Sequence, residues 1–227
     1  MLGLACAPAL AAESWGGGLA VTSDYIFRGV SHSDRTAAAQ VDLHYRTANR
    51  WFAGVWASTA NPPPERIASY EIDLYAGRDW EISDRWAAAV SYVRYSYPGP
   101  PARGHYDSDE VSASLRFEDR VALTAALSPN SFRYTAYKGA SRRRTISYEA
   151  SLRQPVFRPV SIVAAIGYYD TDAAFRASYW AWNAGLSAQT GPFEFTLIRF
   201  GVDATGRRLF GSYAADGRWV LSAAWRF

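Results

Sequence analysis

Apolar and polar residues alternate with period two along much of this chain. Over 40–46, Val41, Leu43 and Tyr45 stand against Gln40, Asp42, His44 and Arg46. Over 70–77, Tyr70, Ile72, Leu74 and Ala76 stand against Glu71, Asp73, Tyr75 and Gly77. Over 146–153, Ile146, Tyr148, Ala150 and Leu152 stand against Ser147, Glu149, Ser151 and Arg153. The last ten residues put Trp219, Leu221, Ala223, Trp225 and Phe227 on one face and Arg218, Val220, Ser222, Ala224 and Arg226 on the other. A period of two is that of a pleated strand whose faces meet two different environments. About twelve such segments fall near 17–30, 37–47, 51–60, 69–79, 86–97, 108–117, 120–129, 144–154, 160–170, 178–190, 193–202 and 217–227. Each is close to the ~10 residues with which a tilted strand crosses a bilayer. No segment carries a capped stripe of period 3.6, so very little helix is expected.

The connections alternate in length. TANR, DWEISDR, FEDR, QPVFRPV and TGP are short, and NPPPERIAS, YPGPPARGHYDSD, SPNSFRYTAYKGASRRRT, DTDAAFRASY and DATGRRLFGSYAADG are long. Membrane barrels have short turns on the periplasmic side and longer loops outside. A soluble sandwich has no reason to sort its loops by parity. The expected fold is all-β, a closed antiparallel up-and-down transmembrane β-barrel of about twelve strands over 13–227, its terminal strand pairing with 17–30. The first outer connection, SHSDRTA, is short and departs from the rule.

Composition narrows the class. The chain is 49% hydrophobic with a mean hydropathy of -0.19, and no run approaches the ~18 apolar residues of a membrane helix. Aromatics make up 15%, which suits rings at a boundary between water and hydrocarbon. The net charge of +3 is small and scattered, which argues against a nucleic-acid partner. The one Met is Met1 and the one Cys is Cys6, within an apolar opening that ends in Ala9-Leu10-Ala11, a small-residue cleavage pattern. Residues 1–12 are read as a signal-peptide remnant, with export through the periplasm to the bacterial outer membrane. A mature chain without a thiol suits an oxidising compartment.

Charges opposite the apolar sets must face a lumen, because an isolated Arg or Lys at mid-depth in lipid costs roughly 2–4 kcal/mol. Asp24, Arg28, Asp42, His44, Arg46, Glu71, Asp73, Arg94, Glu149 and Arg153 are the expected lumen residues. Asp24 and Arg28 would share a face of the first strand, as Glu71 and Asp73 would on the fourth. Such a set either packs and pins a narrow barrel or forms a charged constriction for ions and small solutes. Arg142, Arg143 and Arg144, with Lys138 nearby, lie in the longest loop. They are a solvated loop or a contact for lipopolysaccharide phosphates. The three histidines, His32, His44 and His105, are dispersed and make no metal-ligand pattern. Ser31-His32-Ser33 reads as turn chemistry, and no G-x-S-x-G elbow occurs. Gly16-Gly17-Gly18 precedes a strand and no helix, so it is no phosphate loop. No cofactor, metal or catalytic residue is expected.

Four ordered motifs carry a resemblance: TSDYIFRGVSHSD at 22–34, WFAGVWAS at 51–58, YEIDLYAG at 70–77 and YVRYSYPG at 92–99. Together they resemble the proteobacterial TorF-like porin family. The matching positions are Ser23, Asp24, Tyr25, Phe27, Arg28, Gly29, Ser31, Gly54, Trp56, Ser58, Glu71, Asp73, Tyr75, Gly77, Tyr97, Pro98 and Gly99. Val41 and Asp42 depart from the family, which usually has glycines there. The resemblance implies an outer-membrane β-barrel acting as a passive channel for ions or small polar solutes. A terminal strand ending in Trp225 and Phe227 also resembles the closing strand that the barrel-assembly machinery reads. Outer-membrane lipid and lipopolysaccharide are the other expected partners. A non-conducting structural or surface-interaction barrel is the alternative reading, and a lipid-modifying enzyme of the outer membrane the third.

Overall fold

The computed structural model describes residues 13–62, 68–99, 106–131 and 143–227. The signal remnant with Cys6, and His105, Lys138 and Arg142, lie outside the described residues. The chain opens with β1 (Ser14–Thr22) and a small hairpin of β2 (Ile26–Phe27) and β3 (Val30–Ser31). Then follow β4 (Ala38–Arg46), β5 (Trp51–Thr59), β6 (Tyr70–Glu81), β7 (Trp86–Ser96), β8 (Ser108–Phe117) and β9 (Val121–Ser131). The second half comprises β10 (Arg143–Phe157), β11 (Val160–Asp170), β12 (Tyr179–Thr190), β13 (Phe193–Val202) and β14 (Arg218–Arg226). All but β2 and β3 form one closed antiparallel barrel, each strand beside its sequence neighbours, with β1 pairing both β4 and β14. Closure leaves the barrel itself without a free edge. At the seam Gly18 faces Arg226 and Thr22 faces Ser222, and Gly17 and Phe227 exchange both backbone hydrogen bonds (3.0 and 3.1 Å).

The barrel is inside-out relative to a soluble protein. Leu19, Leu74, Leu123, Ile166, Leu186, Leu197 and Leu221 point outward and are about half exposed, whereas Asp24, Glu71, Asp73 and Glu110 are buried. Such an outer face is like that of membrane barrels, which hydrocarbon covers. Aromatics gather at both rims of the belt. Tyr70, Tyr92, Tyr148, Trp180 and Trp219 stand towards the long loops, and Trp15, Trp51, Trp80, Trp86 and Trp225 towards the short turns. Amphipathic rings belong at those two depths.

The first predicted strand is shorter than its pattern suggested. β1 stops at Thr22, and residues 23–37 are the true first loop, so the short SHSDRTA link disappears and loop length follows parity throughout. Asp24 and Arg28 therefore stand on this loop and do not share a strand face. Among the described residues, helix is confined to α1 (Asp172–Phe175), α2 (Ala204–Phe210) and α3 (Ser212–Ala215), all in long loops. Asp203 caps α2 by accepting from Gly206 N (2.7 Å).

Candidate functional site: a hairpin inside the barrel

Residues 23–37 turn into the bore. Ile26 pairs with Ser31 and Phe27 with Val30, and His32 N donates to Tyr25 O at 2.6 Å. Arg28 (φ 51°) and Gly29 (φ 81°) make the two-residue turn, with the positive φ at both positions that suits a tight hairpin. Gly29 is required there for a second reason. A Cβ would lie 2.4 Å from Val202 Cγ1 and 2.7 Å from Ala181 Cβ, so the tip rests on the inner wall of β12 and β13.

Polar groups fix the base of the hairpin. Asp24 accepts from Ser31 Oγ (2.6 Å), Ser33 Oγ (2.9 Å) and Arg218 Nη1 (2.8 Å). Arg218 also donates to Tyr213 O and Asp216 O, both at 3.0 Å, and so ties the α3 loop to the hairpin. A buried charge needs this degree of pairing. Aromatic rings fix one side. Tyr25 meets the edge of Trp56 at 5.5 Å, Phe27 meets Tyr95 at 5.9 Å, and Tyr97 packs on Tyr106 at 5.3 Å. Burial first, then the carboxyls of Glu71 and Asp73, push the Tyr25 phenol well above its ordinary pKa, and burial and Glu71 do the same to Tyr97.

The tip reaches across the bore. Arg28 Nη2 donates to Glu110 Oε2 on β8 (2.6 Å) and to Ser147 Oγ on β10 (3.2 Å), and Arg28 Nε stands 4.0 Å from Glu149. The guanidinium lies over the rings of Phe27 (4.8 Å) and Tyr169 (5.5 Å), and Tyr179 OH donates to Arg28 O at 3.2 Å. Burial is the largest single influence and lowers the guanidinium pKa, but Glu110, Tyr95, Glu149 and Tyr169 together outweigh it and the net direction is upward. β8 and β10 lie opposite the β1–β14 seam from which the hairpin springs. The hairpin therefore divides the half of the lumen nearer the long loops.

The other half is wet and charged. Tyr75 OH and His44 Nδ1 meet the two oxygens of Asp42 at 2.6 and 2.7 Å. Asp79 pairs with both Arg46 and Arg50. Glu194 pairs with Arg153 (2.8 Å) and Arg226 (2.6 Å), with Ser187 Oγ donating to it at 2.8 Å. The side chains of Asp42, His44, Arg46, Arg153 and Arg226 stay 23–35% exposed although they point inward, so water reaches them within the barrel.

Nine of the ten expected lumen residues point inward: Asp24, Arg28, Asp42, His44, Arg46, Glu71, Asp73, Glu149 and Arg153. Arg94 does not. It pairs across the sheet with Leu74, which is 57% exposed on the outer face, and it is neutralised there by Asp107 (3.1 Å) and Asp109 (2.9 Å). Tyr92 and Tyr95 put aromatic rings on opposite parities of β7, with Val93 apolar between them, so period two does not fix its register. The carboxyls of Glu71 and Asp73 lie side by side and fully buried, with His32 Nδ1 3.9 Å from Glu71. Ser31 and Ser33 donate to Asp24, and the ring of His32 packs on Tyr25 and Phe27. Glu110, Asp79, Glu194, Arg218 and Arg226 were missed. Glu110, with Ser112, Ser114 and Arg116, occupies the polar parity of β8, and Arg218 and Arg226 that of β14, so the signal was present.

The motif residues converge on the same place. Tyr25, Phe27, Trp56, Tyr97 and Gly29 contact or form the hairpin, Ser58 is buried nearby, and Ser23 Oγ accepts from Leu221 N across the seam (3.0 Å). Gly54 makes room for Tyr75 and His44, and Gly77 for Phe52, while Pro98 and Gly99 (φ 103°) turn the chain after Tyr97. Arg143 and Arg144 are exposed and open β10 rather than belonging to a loop, and the rings of Trp225 and Phe227 lie 5.0 Å apart beside the seam.

Known structures share this architecture. The KdgM porin matches with a TM-score of 0.58 at 9% identity over 93% of this chain and 99% of its own. A NanC porin structure matches at 0.62 with 8% identity over 93% and 98%. LpxR from Salmonella typhimurium matches at 0.50 with 8% identity over 93% and 99%. At such identities the likeness is one of fold, that of outer-membrane porin barrels. No curated protein matches the sequence. The family model described as a bacterial protein of unknown function (Gcw_chp) matches residues 7–225, and the chain belongs to that family.

Proposed function

We propose that the protein is a narrow outer-membrane channel in which the β2–β3 hairpin forms the eyelet for small ions and polar solutes. The observation that carries this reading is the division of the lumen: a charged hairpin across one half, water-exposed charges in the other. Long loops would face outside and short turns the periplasm, as in membrane barrels generally. This is also what the resemblance to TorF-like porins implies.

Lumen charge indicates the cargo class. With the buried Glu71–Asp73 pair set aside, Asp24, Asp42, Asp79, Glu110, Glu149 and Glu194 face Arg28, Arg46, Arg116, Arg153, Arg218 and Arg226, so 6 − 6 = 0 among the described residues. KdgM has been solved in complex with oligogalacturonate, an acidic polymer. A balanced lumen lacks the surplus positive charge such a polymer would seek, which favours small solutes of weak charge preference. Arg143 and Arg144, exposed at the rim, are proposed to meet lipopolysaccharide phosphates.

Planar-bilayer recording tests the channel. The purified protein should give small steps, and replacing residues 25–32 by a short Gly/Ser link should give several-fold larger ones. Silence from both proteins would refute the channel. The non-conducting reading has its own support in the number of walls that the hairpin touches, from Trp56 on β5 round to Arg218 on β14. It predicts a silent native barrel that conducts only after the replacement.

A further inference from the structure

On the outer face of β6, near the short turns, Arg78 points towards lipid. It pairs across the sheet with Trp51, the first residue of β5, and shares its face with Trp80, two residues further along β6. Its guanidinium carbon lies 5.4 Å from the Trp51 ring and 5.3 Å from the Trp80 ring. Trp51 is 54% and Trp80 38% exposed, so the clamp opens outward. Nε is covered and has no hydrogen-bond partner among the described residues. The acids flanking Arg78 in sequence do not serve it. Asp79 points inward to Arg46 and Arg50, and Glu81 pairs with Arg50. Arg94 is the contrast, an outward arginine that carries two protein carboxylates.

A cation facing hydrocarbon without a counter-ion is costly, and at headgroup depth an anion from the lipid can supply one. A planar guanidinium held over two indoles keeps donors for the paired oxygens of a phosphate. We propose that Arg78, clamped by Trp51 and Trp80, binds the headgroup phosphate of a phospholipid in the leaflet beside the short turns. The site depends on the barrel spanning a bilayer and is independent of conduction.

Native mass spectrometry of the detergent-solubilised barrel, with phosphatidylglycerol and diacylglycerol of matched chains added separately, tests it. The native protein should retain phosphatidylglycerol several-fold more than Arg78→Gln does, and diacylglycerol weakly and equally in both. Arg78→Lys should recover part of the difference, and Trp80→Phe, which keeps a ring, most of it. Heat-modifiable migration on gels confirms that each variant is a folded barrel. Equal phospholipid retention by folded native and Arg78→Gln proteins would overturn the proposal. So would diacylglycerol retention as strong as that of phosphatidylglycerol, since acyl chains and indoles would then do the holding. Recovery of the native protein in the soluble fraction of cells would instead refute the membrane reading.

Discussion

Removing the cation at the hairpin tip should loosen the eyelet by a measurable amount. Arg28→Gln takes the partner from Glu110, whose side chain is only 9% exposed, and also loses the hydrogen bond to Ser147 and the stacking on Phe27 and Tyr169. Breaking a buried ion pair from one side costs about 3–5 kcal/mol. Here the tip borders the wet lumen, with Arg28 at 17% and Glu149 at 40% side-chain exposure, so the lower end applies. About 3 kcal/mol is a roughly 100-fold fall in the ratio of docked to undocked hairpin, at about 1.4 kcal/mol per tenfold. Glu110→Gln should cost less, about 1–2 kcal/mol, because Glu149 remains near Arg28. The double variant leaves two neutral amides and should fall well short of the sum, with a coupling of at least about 1.5 kcal/mol. Single-channel recording reads this as time spent in a larger conductance level for the native protein, both single variants and the double. A coupling below about 0.5 kcal/mol, or four indistinguishable traces, would refute the latch.

Gly29→Ala should open the same eyelet through sterics, since the left-handed φ costs about 1–2 kcal/mol and the new methyl meets Val202 and Ala181; traces matching the native protein would count against the docked tip. Tyr25 and Tyr97 hold their protons above the ordinary tyrosine range. Stability from them is therefore intact below about pH 10 and lost as pH rises further, because the unfolded chain ionises first. Ultraviolet titration should show one fewer tyrosine ionising only on unfolding in each of Tyr25→Phe and Tyr97→Phe than in the native protein. Glu194→Gln leaves Arg153 and Arg226 facing each other without their shared acid, so anion preference should rise and stability to urea should drop by about 1–2 kcal/mol; an unmoved reversal potential would place Glu194 off the permeation path. Phe227→Ala should lower folded yield in cells more than it lowers the stability of refolded barrel, as measured by the heat-modifiable fraction.

Strand number, closure and the parity of the loops were legible because each depends on local alternation or on length, which sequence displays directly. Eleven of the twelve segments lie where the period placed them. The first did not, since TSDYIFRG keeps an alternating look beyond Thr22 while its charge is satisfied by Arg218, 194 residues away. No local pattern records such a partner. Arg94 failed for a different reason, the aromatic residues on both faces of β7, which leave the inward set to be decided by Leu74 and Asp73 on the neighbouring strand. The period-two reading assigned residues 23–30 to a wall, whereas they form the object that the walls enclose.

That enclosure also orders events in time. The hairpin follows β1 directly, yet its anchors come from Glu110, 82 residues later, and from Arg218, 194 later. Both anchors, one at the base and one at the tip, are in place only after β14 has met β1. A half-made sheet therefore lacks the full seat for the hairpin, and complete docking is expected to follow closure. Native burial of Tyr25 then reports a completed barrel, while a chain stalled with its seam open carries the same segment loose and accessible to protease.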